Sequence, residues 1–345
     1  MSAKELRALL TAGWRTEAVY SFAELGLADE LASGPMSCDE LAERVGARSR
    51  MLYRLLRALS ASDVVIESDP GVFALTPIGD LLRSDKMRHI ALLYGRLLNR
   101  SMRNLADTVR SGQTGFEQVF GKPLFGGYLA ENPDMAELFD RAMAGNTGTQ
   151  TEVLVSALDL SSFRTIVDIG GGTGTLMVGS VERYPGLQAE ILELSGVVER
   201  GRRHVAERGL EQRVRFVEGS MFQEVPAGRD AYVLKLVLHD WDDDRCVEIL
   251  RTTARAMNPD STLLVIEDLV DEESCKSPEV LFLDLFMMAV TGGAERTEDE
   301  YIELFTRSGL EHRVTHHIRD RGVSYDCLEV VLAGSAGAGG TGGAR

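Results

Sequence analysis

Cysteine is scarce in this sequence: the 345 residues contain four, Cys38, Cys246, Cys275 and Cys327. None stands close enough to another for a zinc-binding or redox pair. Scattered thiols of this kind fit ordinary reduced cysteines in a reducing compartment. Long apolar runs are missing too. No stretch reaches the roughly 20 residues that a bilayer-spanning helix needs. The first residues, Met1-Ser2-Ala3-Lys4-Glu5, lack the apolar block and cleavage site of a secretory signal. A cytoplasmic protein without membrane contact is expected. Positive charge is in deficit, with 37 Lys and Arg against 53 Asp and Glu and a formal net charge of −16. Phosphate backbones and anionic membranes repel such a chain, so nucleic acid is not an expected partner.

What is present is enough for a core. Hydrophobic residues make up 44% of the chain, and the length accommodates two domains. Residues 4 to 60 read as helices, with Ala18, Phe22, Leu25, Leu27 and Leu31 at helical spacing. Gly34 and Pro35 break the pattern, and Ser37 with Glu40 reads as a capping box that starts the next helix. Val64-Val65-Ile66 and Val72 to Leu75, around Asp69-Pro70-Gly71, read as a hairpin. Helices followed by such a hairpin form a winged-helix pattern. Arg48, Arg50, Arg54 and Arg57 lie on its candidate recognition helix. The acidity of the whole chain favours a structural or dimerisation role over DNA binding, since fold alone does not fix function.

Residues 86 to 150 read as mostly helical and rich in aromatic residues. From residue 165 the texture changes. Thr165–Ile169, Ala189–Leu192, Val214–Glu218, Tyr232–Leu238 and Thr262–Glu267 read as strands separated by helices or loops. Arg313–Ile318 and Leu328–Ala333 complete a set of seven. Strands alternating with helices predict a doubly wound, mainly parallel sheet. The tail from Gly334 to Arg345 is glycine and alanine with little else and reads as disordered.

Four features carry chemistry. After the first of these strands comes Asp168-Ile-Gly170-Gly-Gly172-Thr-Gly174. The order strand, glycines, helix lets a cofactor approach the backbone. The third glycine of a dinucleotide fingerprint would stand at Thr175 and is absent, as is a phosphate-loop Gly-Lys-Ser/Thr. Glu193, about 20 residues beyond Gly174 at the end of the second strand, has the offset of a ribose-binding carboxylate. Gly219-Ser220-Met221-Phe222 follows the third strand, where Met221 can lie on an adenine face and Ser220 can hydrogen-bond nearby. Lys235-Leu-Val-Leu-His239-Asp240-Trp241-Asp242 closes the fourth strand on a histidine, at the rim where open parallel sheets bind ligands. Glu267 ends the next strand. Neighbouring strands lie about 4.8 Å apart, so both side chains are expected at one rim. A carboxylate beside an imidazole fixes its tautomer and stabilises its protonated form. No His/Asp cluster has metal-ligand spacing, so no metal is expected.

These residues, with Gly293-Ala-Glu295-Arg296-Thr297, resemble the class I S-adenosylmethionine-dependent O-methyltransferases of the small-molecule type, found in plant phenylpropanoid metabolism and bacterial antibiotic pathways. The resemblance runs from about Thr16 to Ala333. It implies a winged-helix dimerisation domain over 1–95, a helical linker contributing to the substrate pocket over 96–150, and a seven-stranded Rossmann-like cofactor-binding catalytic domain over 151–333. The tail 334–345 lies beyond them. It implies His239 as general base, with Glu267 and Glu295 flanking it. It implies S-adenosyl-L-methionine held by Asp168, Gly170, Gly172, Gly174, Glu193, Ser220, Met221, Lys235 and Trp241, although Ser220 stands where the family usually has aspartate. Phe139, Met143, Phe286, Met287 and Val290 are the candidates for the acceptor pocket. The expected reaction is O-methylation of a hydroxylated aromatic or polyketide-like secondary metabolite by a homodimer. Trp14, Val19 and Phe22 would suit the dimer interface. N- or C-methylation, a non-methylating relative and a ligand-binding winged-helix regulator are the alternatives. The resemblance does not name the acceptor.

Overall fold

The computed structural model describes residues 2–271 and 278–335. Cys275 and the tail from 336 onward lie outside the described residues. The chain forms two compact units: Met1–Arg100 with Asn132–Thr149, and Ser101–Glu131 with Gln150–Arg345. The stretch 96–150, expected as one linking layer, is thus divided between them.

In the first unit, helices Ala12–Glu24, Leu27–Leu31, Cys38–Arg44 and Ser49–Ser60 accompany a small antiparallel sheet. Its strands are β1 (Met36–Ser37), β2 (Val65–Asp69) and β3 (Val72–Leu75), in the order β1-β3-β2. Ser37 caps the helix after it, its hydroxyl accepting the Glu40 N–H at 3.2 Å. The hairpin turns at Pro70-Gly71, where Gly71 takes φ 78°. Phe22, Leu27, Leu41, Leu56 and Phe73 pack into one apolar cluster. Phe22 therefore belongs to the protomer's own core and not to an outer face as expected. Its spacing along the helix puts it on the inward side, whereas Trp14 is 75% exposed.

The second unit is built on a seven-stranded sheet. β4 (Thr165–Ile169), β5 (Gln188–Glu193), β6 (Val214–Glu218), β7 (Ala231–Lys235), β8 (Thr262–Glu267), β9 (Leu310–Asp320) and β10 (Val323–Leu332) lie in the order β6-β5-β4-β7-β8-β10-β9. β4 to β8 pair in parallel, and β10 pairs antiparallel with both β8 and β9. Successive side chains of a strand point to opposite faces, and here each face has its own core. Ile166, Ile191, Val233 and Ile266 pack with Leu176 and Val181 on one side. Val167, Ile169, Leu234 and Val265 pack with Ile249, Leu250, Tyr301 and Phe305 on the other. Helices covering both faces explain why these strands read as unbroken apolar runs.

Several strand boundaries differ from expectation. β9 and β10 are longer than their apolar segments because Arg321 (φ 48°) and Gly322 (φ 79°) form a tight two-residue hairpin turn. β7 stops at Lys235, three residues short of the expected Leu238, for a reason that lies in the site itself. Among the described residues no helix is long and apolar enough to cross a membrane.

Candidate active site

The chain leaves β4 toward β5 and β6, then returns to place β7 on β4's other side. The gap between β4 and β7 is therefore a switch point, where ligands bind outside the carboxyl ends of parallel strands. Two loops open there. The first is the glycine loop after β4. Gly170, Gly172 and Gly174 take φ of 71°, 58° and 85°, a region that L side chains rarely adopt. A side chain on Gly171 would collide with the Asp168 carboxylate, and one on Gly174 would meet Ile191 Cδ1 at 2.5 Å. Gly172 differs, because a Cβ there would meet nothing within 4 Å. Space is held open above this one glycine. Beside it begins the helix Thr175–Arg183, whose first residue has a buried hydroxyl without a hydrogen-bond partner among the described residues. Glu193, at the end of β5, accepts the N–H of Gly172 at 3.0 Å and that of Leu194 at 2.8 Å. Its carboxylate is thereby aimed along the loop, and a carboxylate is the group that accepts from both hydroxyls of a diol. This cradle of backbone, open space and carboxylate fits a nucleoside cofactor.

Lys235 ends β7, its ammonium 5.1 Å from the centre of the Tyr325 ring. Burial pulls it down to about 8 against the opposing charges of Asp168, Glu267 and Asp268. Burial pushes Asp168 up to about 7, with Lys235 acting the other way. The opposite charges of these two groups favour each other, while burial works against both.

The second loop carries His239. The histidine was expected to end the strand. It sits beyond it, in a single 3₁₀ turn, Leu238–Asp240. The ladder ends because Leu236 adopts φ 52°. The next two N–H groups, of Val237 and Leu238, turn to the carboxylate Oε1 of Glu267 at 3.2 and 2.9 Å. Glu267 thus both ends β8 and reshapes the neighbouring strand. His239 is 6% exposed. Its Nδ1 lies 2.7 Å from Glu295 Oε1 and 3.9 Å from Glu267 Oε2. Both acids are buried, and the second oxygen of each has no hydrogen-bond partner among the described residues. The fold so brings together three groups that their sequence spacing kept apart, with potential metal-ligand atoms within 4.8 Å of one another. At 2.7 Å, the Nδ1–Glu295 contact is a charge-assisted hydrogen bond.

Burial by itself lowers the His239 imidazole. The Glu267 charge, the Glu295 hydrogen bond and Asp240 outweigh it and lift the group to about 10. Burial lifts Glu267 to about 7, with the histidine opposing, and Asp240 to about 6. The buried acids thus favour the protonated imidazole, and the imidazole in turn favours their ionised forms.

Around this centre the other expected residues separate into groups. Trp241 follows the turn and packs edge-on against Phe222, with ring centres 4.8 Å apart. The Arg245 guanidinium stacks 3.6 Å from the Phe222 ring centre. Met221 packs against the same apolar cluster. The Ser220 hydroxyl accepts the Phe222 N–H at 3.4 Å and so serves the local turn. Met287 and Val290 are buried on the helix Glu279–Val290, and Phe286 is half-buried beside them. Phe139 and Met143 belong to the other compact unit. Two polar residues went unassigned at the sequence level. Asp284 accepts the Glu295 N–H at 3.0 Å, and Arg296 is buried against the histidine turn. Only Arg296 had a signal, its place directly after Glu295.

Comparison with known proteins agrees with this layout. Residues 102–311 match the O-methyltransferase domain family and residues 8–85 the O-methyltransferase dimerisation domain. The phenazine O-methyltransferase of Lysobacter antibioticus is 38% identical over 308 residues, which cover 88% of this chain and 89% of that one. A phenazine-1-carboxylate N-methyltransferase of Pseudomonas aeruginosa is 30% identical over 311 residues, covering 90% and 92%. The crystal structure of NcsB1, an O-methyltransferase of neocarzinostatin biosynthesis bound to S-adenosylmethionine and a hydroxynaphthoic acid, superposes with a TM-score of 0.76. It is 31% identical, and the match covers 92% of this chain and 96% of that one.

Proposed function

Because this chain belongs to the S-adenosylmethionine-dependent O-methyltransferase family, we propose that it methylates a phenolic hydroxyl of an aromatic secondary metabolite, with His239 as general base. The observation that carries this reading is the buried contact of His239 Nδ1 with Glu295, reinforced by Glu267. The relatives named for phenazine and naphthoate chemistry support an aromatic acceptor.

When bound, S-adenosylmethionine supplies an electrophilic methyl group on a cationic sulfonium. Gly170, Gly172 and Gly174 line its site, Glu193 takes the ribose hydroxyls, and Met221 and Trp241 border the adenine side. Ser220 and Lys235 stand at its edges. Nδ1 of His239 is occupied by Glu295, so Nε2 is the nitrogen that receives the hydroxyl proton. A phenol near pKa 10 is a poor nucleophile at neutral pH. An imidazole lifted to about 10 has a matching proton affinity, so the transfer is close to balanced. The positive charge that the cofactor would bring, if held near the imidazole, would favour its neutral, accepting form. Glu267 and Glu295 then stabilise the imidazolium. Phe286, Met287 and Val290 lie on the helix that ends just before the Glu295 segment and form the apolar side of the acceptor site. Positioning of the acceptor hydroxyl against the cofactor's methyl group would supply much of the remaining rate. The dimerisation domain pairs two copies of the chain. Incubation with methyl-labelled cofactor and a panel of hydroxylated aromatics, read by mass spectrometry, tests the activity. Absence of label on every phenol would reject it.

A further inference from the structure

The segment Gly293-Ala294-Glu295-Arg296 touches the histidine turn at every residue. A side chain on Gly293 would collide with the His239 carbonyl oxygen, so the two backbones meet only because this residue is glycine. Ala294 donates its N–H to that same carbonyl at 3.0 Å. Glu295 holds Nδ1. Arg296, 4% exposed, spans the turn from outside. Its Nη1 donates to Leu238 O at 3.3 Å and to Ala294 O at 3.2 Å, and its Nη2 to Trp241 O at 2.8 Å. Asp243 anchors the guanidinium, accepting from Nε at 3.0 Å.

Leu238 and Trp241 flank His239, and their carbonyls are bridged by one rigid, planar fork. Glu267 holds the entrance of the turn through the Val237 and Leu238 N–H groups, and the Cys246 thiol reaches the same two carbonyls at 3.2 and 3.5 Å, but only the guanidinium joins them with a charged, planar fork. The segment itself is one 3₁₀ turn entered through a left-handed leucine, and its own hydrogen bonds run from Asp240 to Val237 and from Trp241 to Leu238. Such short turns have poor hydrogen-bond geometry. The guanidinium fixes the distance between the two carbonyls and so the direction of the imidazole between them.

We propose that Arg296 is a positioning residue for the methyl transfer, acting through the backbone on either side of His239 and touching neither acceptor nor cofactor. This rests on His239 being the base. Lysine keeps the charge but loses the fork, so Arg296→Lys in the full-length chain is the informative variant. Its kcat is expected to fall about 100-fold, the scale of an ångström of misplacement. The acceptor KM and the cofactor dissociation constant are expected to stay within about twofold, since uniform binding is untouched. The NMR titration of the His239 imidazole is expected to move away from its wild-type position. If Arg296→Lys does not fold, Asp243→Asn removes the charge that anchors the guanidinium and is expected to give the same split at smaller size. His239→Ala is measured alongside. An inactive His239→Ala with a fully active Arg296→Lys would overturn the positioning role and leave the base standing. Loss of cofactor binding together with kcat in the Arg296 variant would also overturn it. An active His239→Ala would remove the base itself, and this proposal with it.

Discussion

Nδ1 of His239 lies 2.7 Å from Oε1 of Glu295, 56 residues further along the chain, and both side chains are buried. The contact occupies Nδ1, so Nε2 is the nitrogen that the proposed base would turn to the acceptor. On the proposed mechanism, removing the ring would remove the proton acceptor and leave the glycine loop intact. His239→Ala is expected to lower kcat by about 10² to 10⁴, the range of general acid–base catalysis. Isothermal titration should return a near-wild-type affinity for S-adenosylmethionine. Lost cofactor binding would instead mark the histidine as structural.

The two acids are expected to differ when each is changed. Glu295→Gln keeps a hydrogen-bond acceptor but loses the charge, so the imidazole drops from its raised position and turnover falls while the fold persists. Glu267→Ala strips the acceptor from two buried N–H groups, those of Val237 and Leu238. At about 1–3 kcal/mol for each unmet group, this is a stability defect. Urea titration of both variants distinguishes them: a lower midpoint is expected for Glu267→Ala and a near-native one for Glu295→Gln.

The pH dependence follows from the direction of the histidine shift. His239 is raised above the ordinary 6.5 to about 10. The folded protein therefore binds this proton more tightly than the unfolded chain. The associated stability is complete below pH 6.5 and is lost as pH rises toward 10. The neutral, accepting form grows over the same interval, so kcat/KM is expected to rise with pH above 7. NMR titration of the imidazole is the check, and saturating S-adenosylmethionine is expected to move its midpoint downward. A midpoint near 6.5 without cofactor would contradict the account.

Neighbouring glycines of the cofactor loop are expected to fail in different ways. Gly172 faces open space, so Gly172→Ala carries only the left-handed backbone cost of about 1–2 kcal/mol and should fold. Its methyl enters the cradle, and cofactor affinity is expected to drop by about tenfold or more, or 1.4 kcal/mol. Gly174→Ala also presses on Ile191, so about 3 kcal/mol of destabilisation is expected from strain and overpacking together. Thermal melts with and without S-adenosylmethionine separate the two cases.

Much of this site was legible in the residues. The parallel strands stood out as apolar runs because both sheet faces are covered, and the glycine spacing at 170, 172 and 174 marked the strand-to-helix turn that the chain forms there. Glu267 could be placed beside the histidine once β7 and β8 were taken as neighbours. The position of His239 beyond its strand was not legible, because nothing in Lys235-Leu236-Val237 announces a left-handed leucine. That conformation is imposed by the Glu267 carboxylate, a tertiary contact. Glu295 entered through resemblance alone, since a separation of 56 residues hides its approach to the histidine. The inward face of Phe22 and the division of residues 96–150 between two units depend on packing that periodicity does not encode.

The central claim is transfer of a methyl group to oxygen. The direct measurement is NMR of the product formed from ¹³C-methyl-labelled S-adenosylmethionine and a hydroxylated aromatic acceptor that also carries a ring nitrogen, with wild type and His239→Ala side by side. The account predicts an aryl O–¹³CH₃ signal with wild type and almost none with the variant. Label on nitrogen or carbon, or equal O-methylation by both proteins, would contradict it.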